Sequence, residues 1–439
     1  MKLGRRAAVL GLPLSLAGCG LFDSFLTENK PALRGKREAI LGSRGGLQVD
    51  SGDTRTVSIP PPVTLASWLE AGGTPTHTVG NVAVTGLKPG WTADIGSGGG
   101  YRAKLTAQPI VLDGAVYTMD SNGMVSAFDL AGGRRRWRTD TESDENRSTN
   151  IGGGLAIEAG TVYATTGRGD ALALEASTGK ITWRKDIGVP ARSGPTLSGG
   201  RLHFTTLDDQ LLALNMADGE RAWAYSGTSV ATTMLTDAAP AISDGLVVAG
   251  FGSGELATVR ADSGVLAWSD TLASASGRNS NLDLSAIRAL PVIDRGRVFA
   301  IGIGGLLVAL DLRSGRRLWE REIGGSQTPW LAGDWLFVQA IDQSLAAIST
   351  DDGRARWIQD LPRWDNPAKQ SDPIFWSGPL MASGKLILAG TSELAVSVNP
   401  VDGRILGTQG VSGAVSVAPV AVAGTMLILS DDGTLQAFR

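Results

Sequence analysis

Gly179-Lys180-Ile181-Thr182-Trp183-Arg184-Lys185-Asp186-Ile187-Gly188 decides the fold, because its two overlapping signatures, Gly-x-x-x-Trp and Trp-x-x-x-Ile-Gly, recur along the chain. Trp91, Trp137, Trp183, Trp223, Trp268, Trp319 and Trp357 follow one another at intervals of 38 to 51 residues, and six of them sit four residues after a glycine. A period of that length marks one supersecondary unit copied around a ring or along a stack. Two further columns count the copies. A turn glycine precedes the second apolar run at Gly114, Gly160, Gly200, Gly245, Gly296, Gly333, Gly384 and Gly424. A small residue precedes an apolar one at Ala127-Phe128, Ala173-Leu174, Ala213-Leu214, Thr258-Val259, Ala309-Leu310, Ala347-Ile348, Ser397-Val398 and Ala437-Phe438. Both columns have eight members.

Each repeat runs through a proline, a turn glycine, an apolar run, a Gly/Asp/Asn turn, a second apolar run and the Gly-x-x-x-Trp unit. That order reads as four short antiparallel strands. Pro109, Pro195, Pro240, Pro291, Pro379 and Pro419 mark the entry to a first strand, where a missing N–H costs least. Four-stranded units of this period describe an all-β chain folded as an eight-bladed β-propeller, four antiparallel strands per blade. The chain ends at Phe438-Arg439 before any eighth Gly-x-x-x-Trp, while Trp91-Thr92-Ala93-Asp94-Ile95-Gly96 matches Trp183 to Gly188 with no strands of its own before it. The N-terminal strand is therefore expected to complete the last blade and close the ring. Repeated at one place in every blade, the tryptophans are assigned to packing between sheets rather than to a ligand platform. Leu406-Gly407 replaces the indole in the seventh repeat, which predicts a weaker seam there.

The bulk composition fits and excludes. Glycine supplies 59 of 439 residues, as many tight turns require. A net charge of −3 from 40 basic and 43 acidic residues offers no positive field for nucleic acid. The one cysteine, Cys19, ends Leu16-Ala17-Gly18-Cys19, after Lys2, Arg5 and Arg6 and an apolar stretch from Ala7 to Leu16. This has the parts of a secretory signal, too short to span a bilayer. It resembles a bacterial lipoprotein signal whose terminal cysteine carries lipid. Residues 1–19 are read as signal peptide, 20–80 as a polar tether interrupted by Pro60-Pro61-Pro62, and 81–439 as the propeller.

Catalytic material is scarce. His77 and His203 are the two histidines, and the sequence holds no nucleophile elbow, phosphate loop or His-Glu-x-x-His. No catalytic residue, metal site or cofactor is assigned. His203 is read as a wall residue, and Arg168-Gly169-Asp170 as turn chemistry rather than an adhesion tripeptide. The connections between blades are more informative: Trp183 to Pro195 spans 12 residues, Trp223 to Pro240 spans 17, Trp268 to Pro291 spans 23 and Trp357 to Pro379 spans 22. Long loops sharing one face of a rigid scaffold are where binding concentrates. The last carries Trp364, Phe375 and Trp376 outside the repeat, as partner anchors if exposed or as loop packing if buried.

The lipoprotein signal, the tether, the tryptophan repeats and the closing strand from Trp91 to Gly96 together resemble the BamB family of outer-membrane barrel-assembly lipoproteins. The resemblance implies a non-enzymatic scaffold, lipid-anchored at the outer membrane and facing the periplasm. Its partners would be the POTRA domains of a BamA-like insertase and unfolded outer-membrane proteins, which it helps deliver, with strand pairing as one route. In that family the loops corresponding to Trp223–Pro240 and Trp268–Pro291 contact the insertase. Aligned on Pro240, this chain offers Thr232, Thr233, Met234 and Leu235 with Asp237 following, where the family carries Leu-x-Leu-Arg; aligned on Pro291 it offers Ala286, Ile287 and Arg288 where the family carries Asp-x-Asp. Met234, Leu235, Asp237, Ala286 and Arg288 are thus the candidate contacts, with the charge pattern altered. Two alternatives remain at this point: a quinone-dependent dehydrogenase, whose calcium ligands and paired cysteines are not found here, and a periplasmic propeller for another protein or a sugar.

Overall fold

The computed structural model describes residues 47–52, 54–100, 103–142, 149–150, 152–230, 238–272 and 286–439, and every regular element among them is a strand. Eight four-stranded antiparallel sheets follow in order, as the repeats predict. Blade 1 covers residues 110–139, blade 2 153–186, blade 3 196–226, blade 4 241–271, blade 5 292–321, blade 6 330–360 and blade 7 376–410. Blade 8 takes its three inner strands from residues 420–438 and its outermost from Pro89–Asp94. Thr92 lies opposite Gln436 and Asp94 opposite Thr434, and the Ile95 N–H donates to the Gly433 carbonyl at 3.0 Å. The ring is therefore closed from the front of the chain. Five of the six marker prolines stand immediately before an innermost strand, whereas Pro379 lies inside Trp376–Ala382.

Each hairpin between the first two strands is a two-residue turn. In blade 1 Asp113 and Gly114 both have positive φ, at 49° and 68°, as a type I′ turn demands. The small-residue column has an equally local cause. Ala127, Ala173, Ala213, Thr258, Ala309 and Ala347 sit opposite the tryptophan of their own blade, each beside a register shift, so a larger side chain would compete with the indole.

The indoles join neighbouring sheets. Nε1–H of Trp91, Trp137, Trp183, Trp223, Trp268, Trp319 and Trp357 donates at 2.8–3.0 Å to a turn carbonyl of the next blade: Leu130, Ala176, Met216, Ala261, Leu312, Thr350 and Pro400. The ring face lies on the next blade's turn glycine, which belongs to a Gly-x-x-x-Trp unit in blades 1 to 6 and is Gly403 in blade 7, so a Cβ on Gly219 would stand 2.8 Å from Trp183 Cζ3. Those glycines also have φ near +70°, a second reason for glycine. In blade 7 Gly407 faces Ser397 where the indole would stand, and a Cβ there would meet nothing within 4 Å.

The tether boundary at residue 80 needs correction. Residues 47–80 look polar in sequence, yet Leu47, Val57, Trp68 and Ala71 are buried in the body. Residues 68–85 form a strap that meets all eight blades in order, at the innermost strand in blades 1 to 7 and at the hairpin turn of Gly424 in blade 8. Trp68 exchanges backbone hydrogen bonds with Val111 at 2.8 and 2.7 Å, and the Leu69 carbonyl accepts from Ile157 N–H. Glu70 Oε2 accepts from Leu197 N–H at 2.8 Å, Pro75 O from Ile242 N–H and Thr76 O from Ile293 N–H. Gly80 O accepts from Trp330 Nε1–H, Val82 N–H donates to Met381 O, and Thr85 N–H donates to Gly424 O. The inner edge of a blade leaves backbone groups without a sheet partner, and in blades 1 to 5 and blade 7 the strap supplies a partner for some of them. Alternation of apolar anchors with backbone pairing has no helical or strand period, which is why composition alone reads this segment as linker.

Candidate functional site

The strap blocks the central channel, and the loops that lead from one blade's outermost strand to the next blade's innermost surround what stays open. The result is a dead-ended funnel of about 440 Å³. Trp68, Gly72 and His77 of the strap line it, with Lys104 and Gln108 ahead of blade 1, Arg288 and Leu290 ahead of blade 5, Gln327 and Trp330 at blade 6, and Val417 ahead of blade 8. Trp68 and Trp330 stack with centroids 6.5 Å apart and planes 17° apart.

The loop face is tied together by a residue that carries no periodic signal. Arg192, in the connection between blades 2 and 3, has a fully buried side chain. Its Nη2 donates to the Ile287 carbonyl at 2.8 Å, and Nη1 lies 3.6 Å from Asp209 Oδ1, which accepts the Gly252 N–H at 2.8 Å. One guanidinium thus fixes the connection into blade 5 to turns of blades 3 and 4. Burial pushes Arg192 down to about 10, against the pull of Asp209, and Arg288 pushes it further. It stays a cation at neutral pH.

The predicted contacts separate. Ala286 is buried and its carbonyl accepts from Ile303 N–H at 3.1 Å, so it anchors the loop and offers no side-chain surface, contrary to its assignment as a contact. Arg288 is half-buried at the funnel wall, with no hydrogen bond or ion pair among the described residues. Met234, Leu235 and Asp237 lie outside the described residues, as does Cys19. In the loop after blade 6, Trp364–Asn366 and Ser371–Pro373 pair as a small hairpin. Its aromatics divide between the two expected roles: Trp376 is buried with Nε1–H on Pro362 O at 2.9 Å, while Phe375 is 58 % exposed.

Burial shifts the titration of three polar residues, of which His77 also lines the funnel. His203 tilts against Trp223 at 5.5 Å, the place Tyr117, Tyr163, Phe299 and Phe337 hold against their own blades' indoles, and is the wall residue predicted. Burial pushes it down to about 4. His77, with Nδ1 at 2.6 Å from the Pro291 carbonyl, is pushed to about 4 by the same cause. Glu70 is pushed up to about 8 by burial, against the Leu197 N–H that favours its charged form. Arg168-Gly169-Asp170 is an internal turn, its arginine buried 3.5 Å from Glu142 and its aspartate 3.1 Å from Arg184. Among the described residues no three His, Cys, Asp or Glu side chains converge as metal ligands.

Comparison with known proteins agrees with this architecture. A family model described as outer membrane protein assembly factor BamB matches residues 121–359. The Yersinia pestis protein of that name is 30% identical over 358 residues, covering 79% of this chain and 88% of its own. The Escherichia coli K12 protein is 29% identical, covering 79% and 87%. Among solved structures, BamB from Moraxella catarrhalis superposes with a TM-score of 0.67 at 18% identity, over 80% of this chain and 99% of that one. The quinohemoprotein alcohol dehydrogenase of Comamonas testosteroni reaches the same TM-score at 14% identity, over 85% of this chain and 80% of that one, and shares the fold alone. The indole-docked ring closed by Pro89–Asp94, the family match and the Yersinia relative lead to one conclusion: the chain belongs to the BamB family of outer membrane protein assembly factors.

Proposed function

We propose that this chain is a non-enzymatic, lipid-anchored scaffold of the barrel-assembly machinery. Lipid on Cys19 holds it at the outer membrane facing the periplasm. Its loop face binds the POTRA domains of a BamA-like insertase, and the scaffold helps deliver unfolded barrel proteins. The observation that carries this reading is the Arg192 tie, which joins the connection into blade 5 to turns of blades 3 and 4, beside an Arg288 that has no counter-charge among the described residues. A half-buried cation next to a second, fully buried one is costly unless a partner supplies a carboxylate. Since the family's acidic element is an arginine here, the matching insertase surface should be acidic.

The test is recovery of the insertase's periplasmic domains on the tagged full chain, in detergent extract. Arg288→Glu should lower the affinity by about tenfold or more and Arg288→Lys by much less. Equal recovery with Arg288→Glu would move the contact off this loop.

A further inference from the structure

The insertase contact gives Arg288 a role and gives the apolar volume beside it none. Among the described residues that line the funnel, Arg288 and Lys104 are cations, His77 is held neutral by burial, and no side chain is acidic. Lys104 is exposed and already answers an acid: burial holds the Asp431 carboxyl up, and a hydrogen bond from Ser416 and the charge of Lys104 draw it back down. Arg288 is half-buried, and its guanidinium donors are unengaged among the described residues. Much of the remaining wall is apolar, with Trp68, Leu105, Leu290 and Val417 between 1 % and 6 % exposed.

Three polar side chains of the wall are committed to holding it together. Gln108 accepts from the Gly72 N–H at 2.9 Å and donates to the Ala418 carbonyl at 3.3 Å, which ties the strap to the lead-ins of blades 1 and 8. Gln327 Oε1 accepts from the Gly378 N–H at 3.3 Å, and Thr328 Oγ1 from the Leu290 N–H at 3.0 Å, which ties the lead-in of blade 6 to blades 7 and 5. Walls stitched in this way are formed before anything enters, so binding does not have to order them. The strap closes the far end, so no polypeptide threads through. A volume of about 440 Å³ also falls within the roughly 300–1,000 Å³ typical of small-molecule sites.

We propose that the funnel binds a small amphipathic monoanion, with its apolar tail among Trp68, Leu105, Leu290 and Val417 and its carboxylate on Arg288. A guanidinium matches a carboxylate through paired N–H donors, and partial burial strengthens that bond relative to an open surface. A cationic amphiphile would find no acid on the wall to answer it. Such binding does not depend on the scaffold reading, although both call on Arg288. A funnel ligand and an acidic insertase surface should therefore exclude one another there.

The experiment is calorimetric titration of the full chain in detergent, against a detergent blank, with straight-chain carboxylates from butanoate upward. Each added methylene should tighten binding about threefold to fourfold until the funnel is full, and then add nothing. Partition into micelles has no such limit. Octanamide, which keeps the tail without the charge, should bind at least about tenfold more weakly than octanoate. Arg288→Gln should remove that preference, and Arg288→Lys should keep most of it. Val417→Trp, which fills the volume, should abolish binding at an unchanged melting temperature. An octanoate ending in a diazirine needs no variant: in the native chain its label should fall on peptides containing Leu105, Leu290 or Val417. Equal binding of octanoate and octanamide, affinity that rises without limit along the series, or label confined to other peptides overturns the proposal. These measurements omit the insertase, so their failure leaves the scaffold reading untouched. Insertase recovery that saturating octanoate does not lower would move the insertase contact off Arg288 and leave the funnel site intact.

Discussion

The glycine of one Gly-x-x-x-Trp unit receives the indole of the unit before it, so a motif that looks local in sequence encodes a contact between sheets. Gly219→Ala should therefore cost more than the ~1–2 kcal/mol of forcing a left-handed backbone, because the new methyl also displaces the Trp183 ring. Trp183→Ala should cost about 3–5 kcal/mol, and both are checked by urea unfolding. Titration separates the buried polar residues. His77 and His203 sit near 4 when folded and 6.5 when unfolded, so their contribution is complete above about pH 6.5 and is lost as pH falls toward 4. His203→Phe, the residue type of blades 5 and 6, should flatten the acid limb of the stability curve. Glu70 has the opposite sign. Raised to about 8 from 4.5, it favours the fold below about pH 4.5 and loses that contribution as pH rises through 8, so Glu70→Gln should stabilise the protein more near pH 8 than near pH 6. The place of His203 in a strand wall is legible in sequence, whereas the burial of His77 and Glu70 is not, because both lie in a segment with no strand period. Arg192 is hidden too: its partners Asp209 and Ile287 come from other blades.

At the scale of strands the sequence is legible wherever a rule of period or turn applies. Glycine turns, small-residue columns and marker prolines place nearly every sheet, and Trp91 to Gly96 identifies the closing strand from its likeness to residues 183–188. Legibility fails at the strap, whose bonds reach eight separate blades through backbone and side-chain groups alike and obey no single repeat. Removing residues 1–96 should uncover the edge of Thr434–Phe438 together with every inner edge the strap covers. The expected product aggregates in size-exclusion chromatography. A monomer with the melting temperature of the intact chain would contradict closure by that strand.

For the whole molecule, Cys19→Ala should leave a folded propeller that no longer sediments with membranes, and continued sedimentation would refute the lipid anchor. The described ends of two loops that sequence marks as binding elements, at Arg288 and at Gly378, line one cavity, but which side chains a loop presents depends on burial that only packing reveals, as Ala286 and Arg288 show. One consequence of the strap concerns time. Lys88 and Arg439 exchange backbone hydrogen bonds at 3.1 and 2.9 Å, joining the early ordered residues to the terminal one. Those early residues can reach their final places only once the chain as far as Arg439 is available to pair with them. Closure of the ring thus rests on contacts of very long sequence separation, the kind that cost loop-closure entropy before they stabilise the chain and that leave unpaired edges open until they form.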